Sequence, residues 1–203
     1  IYWFYRSEWT DKDVLHIFPH WNWNPGQTVD VWAFTNCDEV ELFLNGNSLG
    51  RQSKGRDDFN LVWKVPFEQG SLLGVGYRDS TEIMRTEVHT AGEAASLTLS
   101  PDRVEIKADG TDLSFITVTV VDNDGNMVPH ADNMVNFSVE GPGMIAGVDN
   151  GSQTSMEPFK ADCRKAYNGK CLAVIKAGKV KGEIRVTASS EGLPDATLFL
   201  RVR

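Results

Sequence analysis

LSFITVTVVDNDGN, residues 113–126, is the stretch that decides the fold class of this chain. Residues 113–121 are rich in β-branched and aromatic side chains, which favour a buried strand. Residues 122–126 then supply the Asp, Asn and Gly that favour a tight turn. A long strand that ends at such a turn predicts a sheet of antiparallel neighbours.

Shorter runs of the same composition lie on both sides of this strand, at the spacing of about 8–12 residues that is typical of immunoglobulin-type sandwiches. Asn45-Gly46, between two of them, is a strong hairpin signal. We therefore predict an all-β chain of two tandem immunoglobulin-like β-sandwich domains, preceded by a short helical remnant. The predicted strands are 28–35, 40–44, 48–50, 59–65, 71–77, 82–89, 96–99, 104–108, 113–121, 135–139, 144–148, 171–176, 183–188 and 197–202.

The strand pattern is interrupted at residues 90–93, where Thr-Ala-Gly-Glu intervenes. All six Trp lie before this break, whereas both parts are mildly acidic. The predicted organisation is a helical remnant at 1–12, a first sandwich at 13–92 and a second at 93–203. Within the remnant, Tyr2, Tyr5 and Trp9 have the i, i+3, i+7 spacing of a helix face that packs on an apolar surface.

The composition, with 41% hydrophobic residues and a formal net charge of −8, is that of a globular protein. An acidic surface opposes binding to a phosphate backbone, so we expect no nucleic-acid partner. No apolar run approaches the ~18–20 residues of a membrane span, so we expect no membrane partner. Cys37, Cys163 and Cys171 are too few for a zinc module; we interpret them as small buried hydrophobes, with a Cys163–Cys171 bridge as the open alternative.

Hydrophobic residues within the predicted strands are the candidate core residues. Those of the first sandwich are Val31, Leu42, Leu44, Val65 and Val75, and those of the second are Phe115, Val118, Val120, Phe137, Val174 and Ile184. An error of one residue in register would move every side chain of a strand to the other face.

The segment HIFPHWNW, which begins at His16, is the most unusual in the chain. His16 and His20 could share a metal on a helix, but Pro19 opposes a helix and a strand would place them ~13 Å apart, so we predict no metal site. The rings could instead pack an edge strand against a preceding domain. Alternatively, Trp21 and Trp23 would point the same way on a strand and form a flat platform for a sugar ring.

Five residues are therefore candidates for contact with a sugar or a neighbouring domain: Trp21, Trp23, His20, Asn22 and Trp9. The chain has no nucleophile elbow, phosphate-binding loop, dinucleotide fingerprint or zinc-protease motif, so we predict no catalytic residue and no cofactor. Paired carboxylates such as Glu39 and Glu41 are interpreted as charges on the outer face of a half-buried sheet.

Six phrases of the sequence point to a family. They are YRSEWTDK (5–12), LHIFPHWNW (15–23), TNCDEVELFLNGNSLG (35–50), ADGTDLSF (108–115), DGN (124–126) and GVDNG (147–151). Together they resemble β-galactosidases of glycoside hydrolase family 2, from the segment that leaves the catalytic barrel through the two immunoglobulin-like domains that follow it in many bacterial members. The resemblance covers essentially the whole chain and implies that residues 1–10 are the tail of the last barrel helix.

Members of that family hydrolyse β-galactosides or related β-glycosides with retention, using two barrel Glu residues, of which the acid/base Glu follows an Asn. No Asn-Glu dipeptide occurs in this chain, and a barrel of ~250 residues would not fit in it. The resemblance thus implies a non-catalytic C-terminal region of a bacterial, periplasmic or secreted enzyme, with the catalytic barrel of the same polypeptide as its partner. Asn22, Trp23 and the loop at 51–58 are then candidates to wall the barrel's substrate cleft.

Three functions are consistent with these observations. The first is support of the barrel by packing or homo-oligomerisation, which predicts exposed aromatic side chains at Tyr2, Trp3, Trp9, Trp21 and Trp23. The second is carbohydrate binding on a Trp platform, which predicts a fluorescence change on addition of sugar. The third is a cell-surface adhesive or spacer role, which predicts a wall-anchoring or repeat segment further along the polypeptide.

Overall fold

The computed structural model describes all 203 residues, Ile1–Arg203, and contains one helix and sixteen strands. The chain folds as two compact units, Ile1–Thr90 and Ala91–Arg203. The predicted all-β class, with a short helix at the start of the chain, is confirmed. The helix does not have the length and apolar character that a membrane span requires.

The first unit is a sandwich of two antiparallel sheets with a helix on its surface. Its elements are α1 (Tyr2–Trp9), β1 (Leu15–Phe18), β2 (Thr28–Thr35), β3 (Glu39–Leu44), β4 (Asn47–Ser53), β5 (Leu61–Pro66), β6 (Ser71–Arg78) and β7 (Thr81–His89). The strand order is β1-β2-β5 in one sheet and β4-β3-β6-β7 in the other. Asn45 and Gly46 both have positive φ angles, 50° and 80°, as the predicted Asn-Gly hairpin between β3 and β4 requires.

The second unit is a sandwich of a four-stranded and a five-stranded sheet. Its strands are β8 (Ser96–Pro101), β9 (Glu105–Ile106), β10 (Leu113–Val121), β11 (Met134–Glu140), β12 (Gly143–Asp149), β13 (Cys163–Lys165), β14 (Lys170–Ala177), β15 (Gly182–Ser190) and β16 (Leu193–Val202). The sheet orders are β12-β14-β10-β8 and β13-β11-β15-β16-β9. All pairs are antiparallel except β16 with the short β9.

The core of the first unit forms between the inner faces of its two sheets and includes a fully buried Trp21. All five predicted core residues of this unit are buried, but only Val31, Leu42, Leu44 and Val65 belong to this core. Val75 alternates with Gly74 and Gly76 on β6 and is buried on the outer face of its sheet, so its predicted facing is wrong. On β6 the inner face carries Gly74 and Gly76 instead of larger side chains. A Cβ on Gly76 would lie 2.5 Å from the Cys37 Sγ atom, and one on Gly74 would lie 3.0 Å from Cγ2 of Ile17. These glycines therefore let Cys37 and β1 approach the sheet closely.

In the second unit the predicted core residues Val118, Val120, Phe137 and Ile184 are buried, but the prediction for Phe115 is wrong: its side chain is 40% exposed. Ile116, Val118 and Val120 lie on the inner face of β10, so Phe115 must point outward because successive side chains alternate. Phe115 pairs across the sheet with Val174, which is only half-buried for the same reason. The inner position next to Phe115 is held by Ser114, whose hydroxyl donates to the Arg103 carbonyl at 2.8 Å.

The turn after β10 forms as predicted and is organised by a carboxylate. Asp122 is buried and accepts hydrogen bonds from the backbone N–H groups of Gly92, Asp124 and Asn126 at 2.8–3.0 Å. These bonds, the one from Gly92 above all, lower the pKa of the Asp122 carboxyl. The turn is thereby tied to the first residues of the second unit.

The three cysteines are free thiols. Cys37 and Cys171 are buried, as the interpretation as small hydrophobes predicts, whereas Cys163 on β13 is half-buried. Burial raises the pKa of the Cys171 thiol to about 12, so this side chain is a thiol and not a thiolate at neutral pH.

Candidate functional site

The helix is attached to the sandwich by one of its faces. Trp3 stacks on His16 with ring centroids 4.7 Å apart, and Phe4 meets Phe34 and Phe59 edge-to-face at 5.7 Å in each case. Ser7, on the same side of the helix, is buried. An isolated helix of eight residues is not stable in water, so these contacts determine that α1 forms.

A partly covered ion pair at the C-terminal end of α1 completes the attachment. The Lys54 ammonium lies 2.6 Å from the Glu8 carboxylate, and both side chains are largely covered. The same ammonium donates a hydrogen bond of 2.8 Å to the Thr35 carbonyl at the end of β2. The segment at 51–58, a candidate to wall a substrate cleft, is a loop only from residue 54 onward because residues 51–53 belong to β4, and it contacts the helix through Lys54.

The outer face of the β1-β2-β5 sheet is aromatic where an antiparallel sheet is ordinarily polar. His16 pairs with Phe34 and Phe18 with Trp32 across β1 and β2, so all four side chains lie on one face. Phe18 stacks on His16 at 5.7 Å and lies 4.8 Å from Phe34. The helix covers the His16 and Phe34 end of this face and leaves Trp32 38% exposed.

The opposite face of the helix is unpartnered. Tyr2, Tyr5 and Trp9 are 63%, 41% and 78% exposed, so the face with the predicted spacing forms, but the ring contacts it makes are with residues of the helix itself. At roughly 150–250 Å² for each aromatic side chain, the three rings leave about 400 Å² in water. That area equals the largest apolar patch of an ordinary monomer, before Trp32 is counted.

We call this surface the aromatic face. It comprises the helix residues Tyr2, Trp3, Phe4, Tyr5 and Trp9, the sheet residues His16, Phe18, Trp32 and Phe34, and Phe59 beside them.

The histidine within the aromatic face is electrostatically perturbed. Burial of the His16 ring between Trp3 and Phe18 lowers its pKa, because an imidazolium is poorly solvated there. His16 is therefore neutral at physiological pH. No three His, Cys, Asp or Glu side chains of the chain are grouped so that they could hold a metal ion.

The predicted tryptophan platform does not form. The residues after β1 are not a strand, and Trp21 is fully buried, with its indole N–H donating to the Glu68 carbonyl at 2.8 Å. Trp23 is half-buried; it stacks on His20 at 4.7 Å and donates its indole N–H to the His20 carbonyl. Asn22, between them, donates its backbone N–H to the His20 Nδ1 atom at 3.2 Å. Trp21 is thus out of reach of any sugar.

The structure therefore divides the sequence-predicted candidates. Trp9 lies on the aromatic face, whereas His20, Asn22 and Trp23 are bonded to one another in a separate segment and Trp21 is bonded to Glu68. Sequence reasoning missed the sheet half of the aromatic face. The sequence of β2 contained a signal for this surface. When Val31 and Ala33 point inward, Trp32 and Phe34 must point outward. A strand that is apolar on both faces is typically covered on both faces.

Comparison with known proteins agrees with this architecture. Residues 97–198 match the glycoside hydrolase family 2 C-terminal domain 5, and residues 26–84 match a domain of unknown function (DUF4982). The chain is 51% identical over 199 residues to the β-galactosidase BoGH2A of Bacteroides ovatus and 33% identical over 183 residues to a putative β-glucuronidase of Formosa agariphila. These alignments include 98% and 87% of this chain.

Among solved structures, a glycosyl hydrolase family 2 member from Bacteroides cellulosilyticus superimposes with a TM-score of 0.91 at 36% identity, over 99% of this chain and 30% of that one. The chain spans only 23% of the Bacteroides ovatus protein and 18% of the Formosa agariphila protein. These relatives are therefore much longer polypeptides. Both the sequence match over half of its length and the shared fold show that this chain belongs to glycoside hydrolase family 2.

Proposed function

We propose that this chain is the non-catalytic C-terminal region of a family 2 β-galactosidase and that its aromatic face docks on the catalytic region of the same polypeptide. The observation that carries the proposal is the unpartnered helix face of Tyr2, Tyr5 and Trp9 beside the aromatic sheet surface. Burial of about 400 Å² of ring surface would contribute several kcal/mol, at about 25 cal/mol per Å² less the cost of ordering.

The carboxylates of the chain support a non-catalytic role. Retaining hydrolysis uses two carboxyl groups about 5–5.5 Å apart on either side of a sugar, with environments that separate their pKa values. The closely spaced pair Glu39 and Glu41 is instead bound to one guanidinium, with Arg51 at 3.2 Å from the first and 3.6 Å from the second. Arg51 also lies 3.5 Å from the centre of the Tyr77 ring, so the group is a closed surface network.

A chimera tests the docking. This chain would replace the matching region of the Bacteroides ovatus β-galactosidase, and Tyr2→Ala, Tyr5→Ala and Trp9→Ala would be introduced together. We expect the thermal midpoint of the chimera to fall, since the contribution of the buried rings would be lost; the shift should be smaller than the ~2–4 °C per kcal/mol that is typical of domains of about 150–250 residues, because the chimera is a much longer chain. In the isolated 203-residue chain the same triple variant should change stability by less than about 0.5 kcal/mol per site, because the rings are exposed.

Phe199→Ala, at an exposed aromatic residue of β16, is the matched control and should leave both proteins unchanged. An unaltered midpoint in the triple-variant chimera would overturn the docking. The docking would also be overturned if light scattering showed that the isolated chain is a dimer and that the triple variant is a monomer. The aromatic face would then pair with a second copy of the chain.

The substrate class is tested on the natural polypeptide that contains this chain. We expect faster hydrolysis of p-nitrophenyl β-galactoside than of the β-glucuronide, given the higher identity to the β-galactosidase. Preference for the glucuronide would overturn the proposed substrate but leave the docking intact.

A further inference from the structure

The loop at residues 150–162 of the second unit has no helix or strand but is held by a buried arginine. Arg164, on β13, is 1% exposed. Its guanidinium donates to the carbonyls of Val148 at 2.9 Å, Pro158 at 3.1 Å and Glu157 at 3.3 Å. Because each carbonyl belongs to the loop or to the strand before it, one side chain fixes the loop in a single conformation.

The fixed loop forms one wall of a surface cleft. On the other wall, β12 has a bulge between Ile145 and Gly147, which leaves Ala146 outside the regular pairing with β14. The loop runs beside this strand, since the Val148 N–H donates to the Phe159 carbonyl at 2.8 Å. The cleft between them has a volume of about 490 Å³ and is lined by Ile145, Ala146, Lys160, Ala161 and Asp162.

The lining of the cleft combines three apolar residues, Ile145, Ala146 and Ala161, with two charged groups. Lys160 and Asp162 are exposed, and neither takes part in the ion pairs nearest to the loop, which join Arg164 to Glu157 and Lys165 to Asp132. An ammonium offers three hydrogen-bond donors and a carboxylate offers acceptors. Phe159 precedes Lys160 in the chain at the edge of the lining, and its ring is 65% exposed, with the Arg164 guanidinium 5.3 Å from its centre.

From this arrangement we propose that the cleft is a carbohydrate-binding subsite of the second unit. Sugar hydroxyls would donate hydrogen bonds to the Asp162 carboxylate and accept hydrogen bonds from the Lys160 ammonium. The C–H face of the sugar ring would lie against the Phe159 ring. The volume falls within the range of about 300–1,000 Å³ that is typical of small-molecule sites. This subsite is independent of the docking proposed for the first unit.

The exposed apolar area favours a sugar over a protein partner. Met156 and Phe159, 95% and 65% exposed, are the large apolar side chains that the loop presents to solvent. At roughly 150–250 Å² per large side chain they offer about 300 Å². A stable protein–protein interface needs about 800 Å² from each partner, so the loop by itself is too small for one.

The test is a titration of the ¹⁵N-labelled 203-residue chain with lactose, methyl β-D-galactoside and cellobiose, followed by amide chemical shifts. We expect at least one sugar to give saturable shifts at Ala146, Lys160, Ala161 and Asp162, with a Kd of about 1–10 mM. Phe159→Ala and Asp162→Asn should each weaken the affinity about tenfold. The matched controls in the same unit are Phe199→Ala and Asp195→Asn, both at exposed positions outside the cleft, and they should not change it.

Three results would overturn the proposal. The first is the absence of shifts at the cleft with all three sugars. The second is a sugar-dependent change in tryptophan fluorescence with no cleft shifts, because all six Trp belong to the first unit. The third is a set of loop shifts that depends on protein concentration without sugar and disappears in Met156→Ala, because the loop would then contact a second copy.

Discussion

Substitution of Gly76 by Ala should destabilise the first unit through a single atomic contact. The added Cβ would lie 2.5 Å from the Cys37 Sγ atom and 3.3 Å from the Met84 Cγ atom. Gly76 is not among the glycines with positive φ, so its backbone conformation accepts Ala without strain. The loss of stability is therefore steric in origin, and overpacking of this kind lowers the free energy of unfolding by about 1–3 kcal/mol.

Removal of the sulfur should reverse that cost. Cys37→Ala alone should cost about 1–2 kcal/mol, for one buried heavy atom and the small cavity that remains. In the double variant the new methyl group occupies the space of the sulfur, and Ala in a strand gains about 0.5–1 kcal/mol over Gly. The two single costs add to about 2–5 kcal/mol, whereas we expect the double variant to lie within about 1 kcal/mol of the parent, which is a favourable coupling of at least about 1 kcal/mol between the two sites.

Denaturant unfolding followed by tryptophan fluorescence measures this coupling, because every Trp is in the first unit. Gly74→Ala is the matched control: it lies on the same face of the same strand, but its Cβ would meet Ile17 at 3.0 Å. Its cost should add to that of Cys37→Ala within about 0.5 kcal/mol. The reasoning is refuted if Gly76→Ala and Cys37→Ala are also additive.

Three further predictions concern register and pH. Ile116→Ala should cost about 3–5 kcal/mol and Phe115→Ala about 1–2 kcal/mol by calorimetry of the second unit, and equal losses would contradict the assigned faces. Asp122→Asn should destabilise that unit at neutral pH by about 1.5–3 kcal/mol, since the hydrogen bond from the Gly92 N–H to the carboxylate is charge-assisted. Folding lowers the pKa of this carboxyl. Its contribution to the free energy of unfolding is therefore present above the unfolded pKa of about 3.9 and is lost as pH falls through the folded pKa. Burial lowers the pKa of His16, so as pH falls below about 6.5 the unfolded chain is protonated at this residue more readily than the folded chain. The first unit should therefore lose stability between about pH 7.5 and 5.5, as measured by fluorescence-detected unfolding. His16→Phe should reduce this pH dependence.

The sheet architecture was predictable because strand composition and turn chemistry are local properties. The Asn45-Gly46 hairpin and the turn after Val121 depend on a few neighbouring residues, and both form as predicted. The face of the sheet on which each side chain lies was less predictable. Placing Phe115 on the same face as Val118 contradicts the two-residue period of a strand, and hydrophobicity alone favoured the larger ring over the small, hydrogen-bonded Ser114 that occupies the inner position.

The candidate site was only partly predictable because it depends on non-local pairing. The helical spacing of Tyr2, Tyr5 and Trp9 identified one face of α1 correctly, but the partner of the other face comes from β1 and β2. The supposed platform at Trp21 and Trp23 failed because the chain leaves β1 at Pro19 and turns Trp21 into the core, where the Glu68 carbonyl accepts its N–H. No local pattern encodes that acceptor.

The attachment of α1 has a consequence for the order of events during synthesis. The helix residues leave the ribosome before the groups that hold them, which lie between His16 and Phe59. At about 5–20 residues per second, Trp3 and Phe4 wait several seconds for those partners. During that interval an eight-residue helix cannot form alone, so its aromatic side chains are available to chaperones until the sandwich behind them has folded.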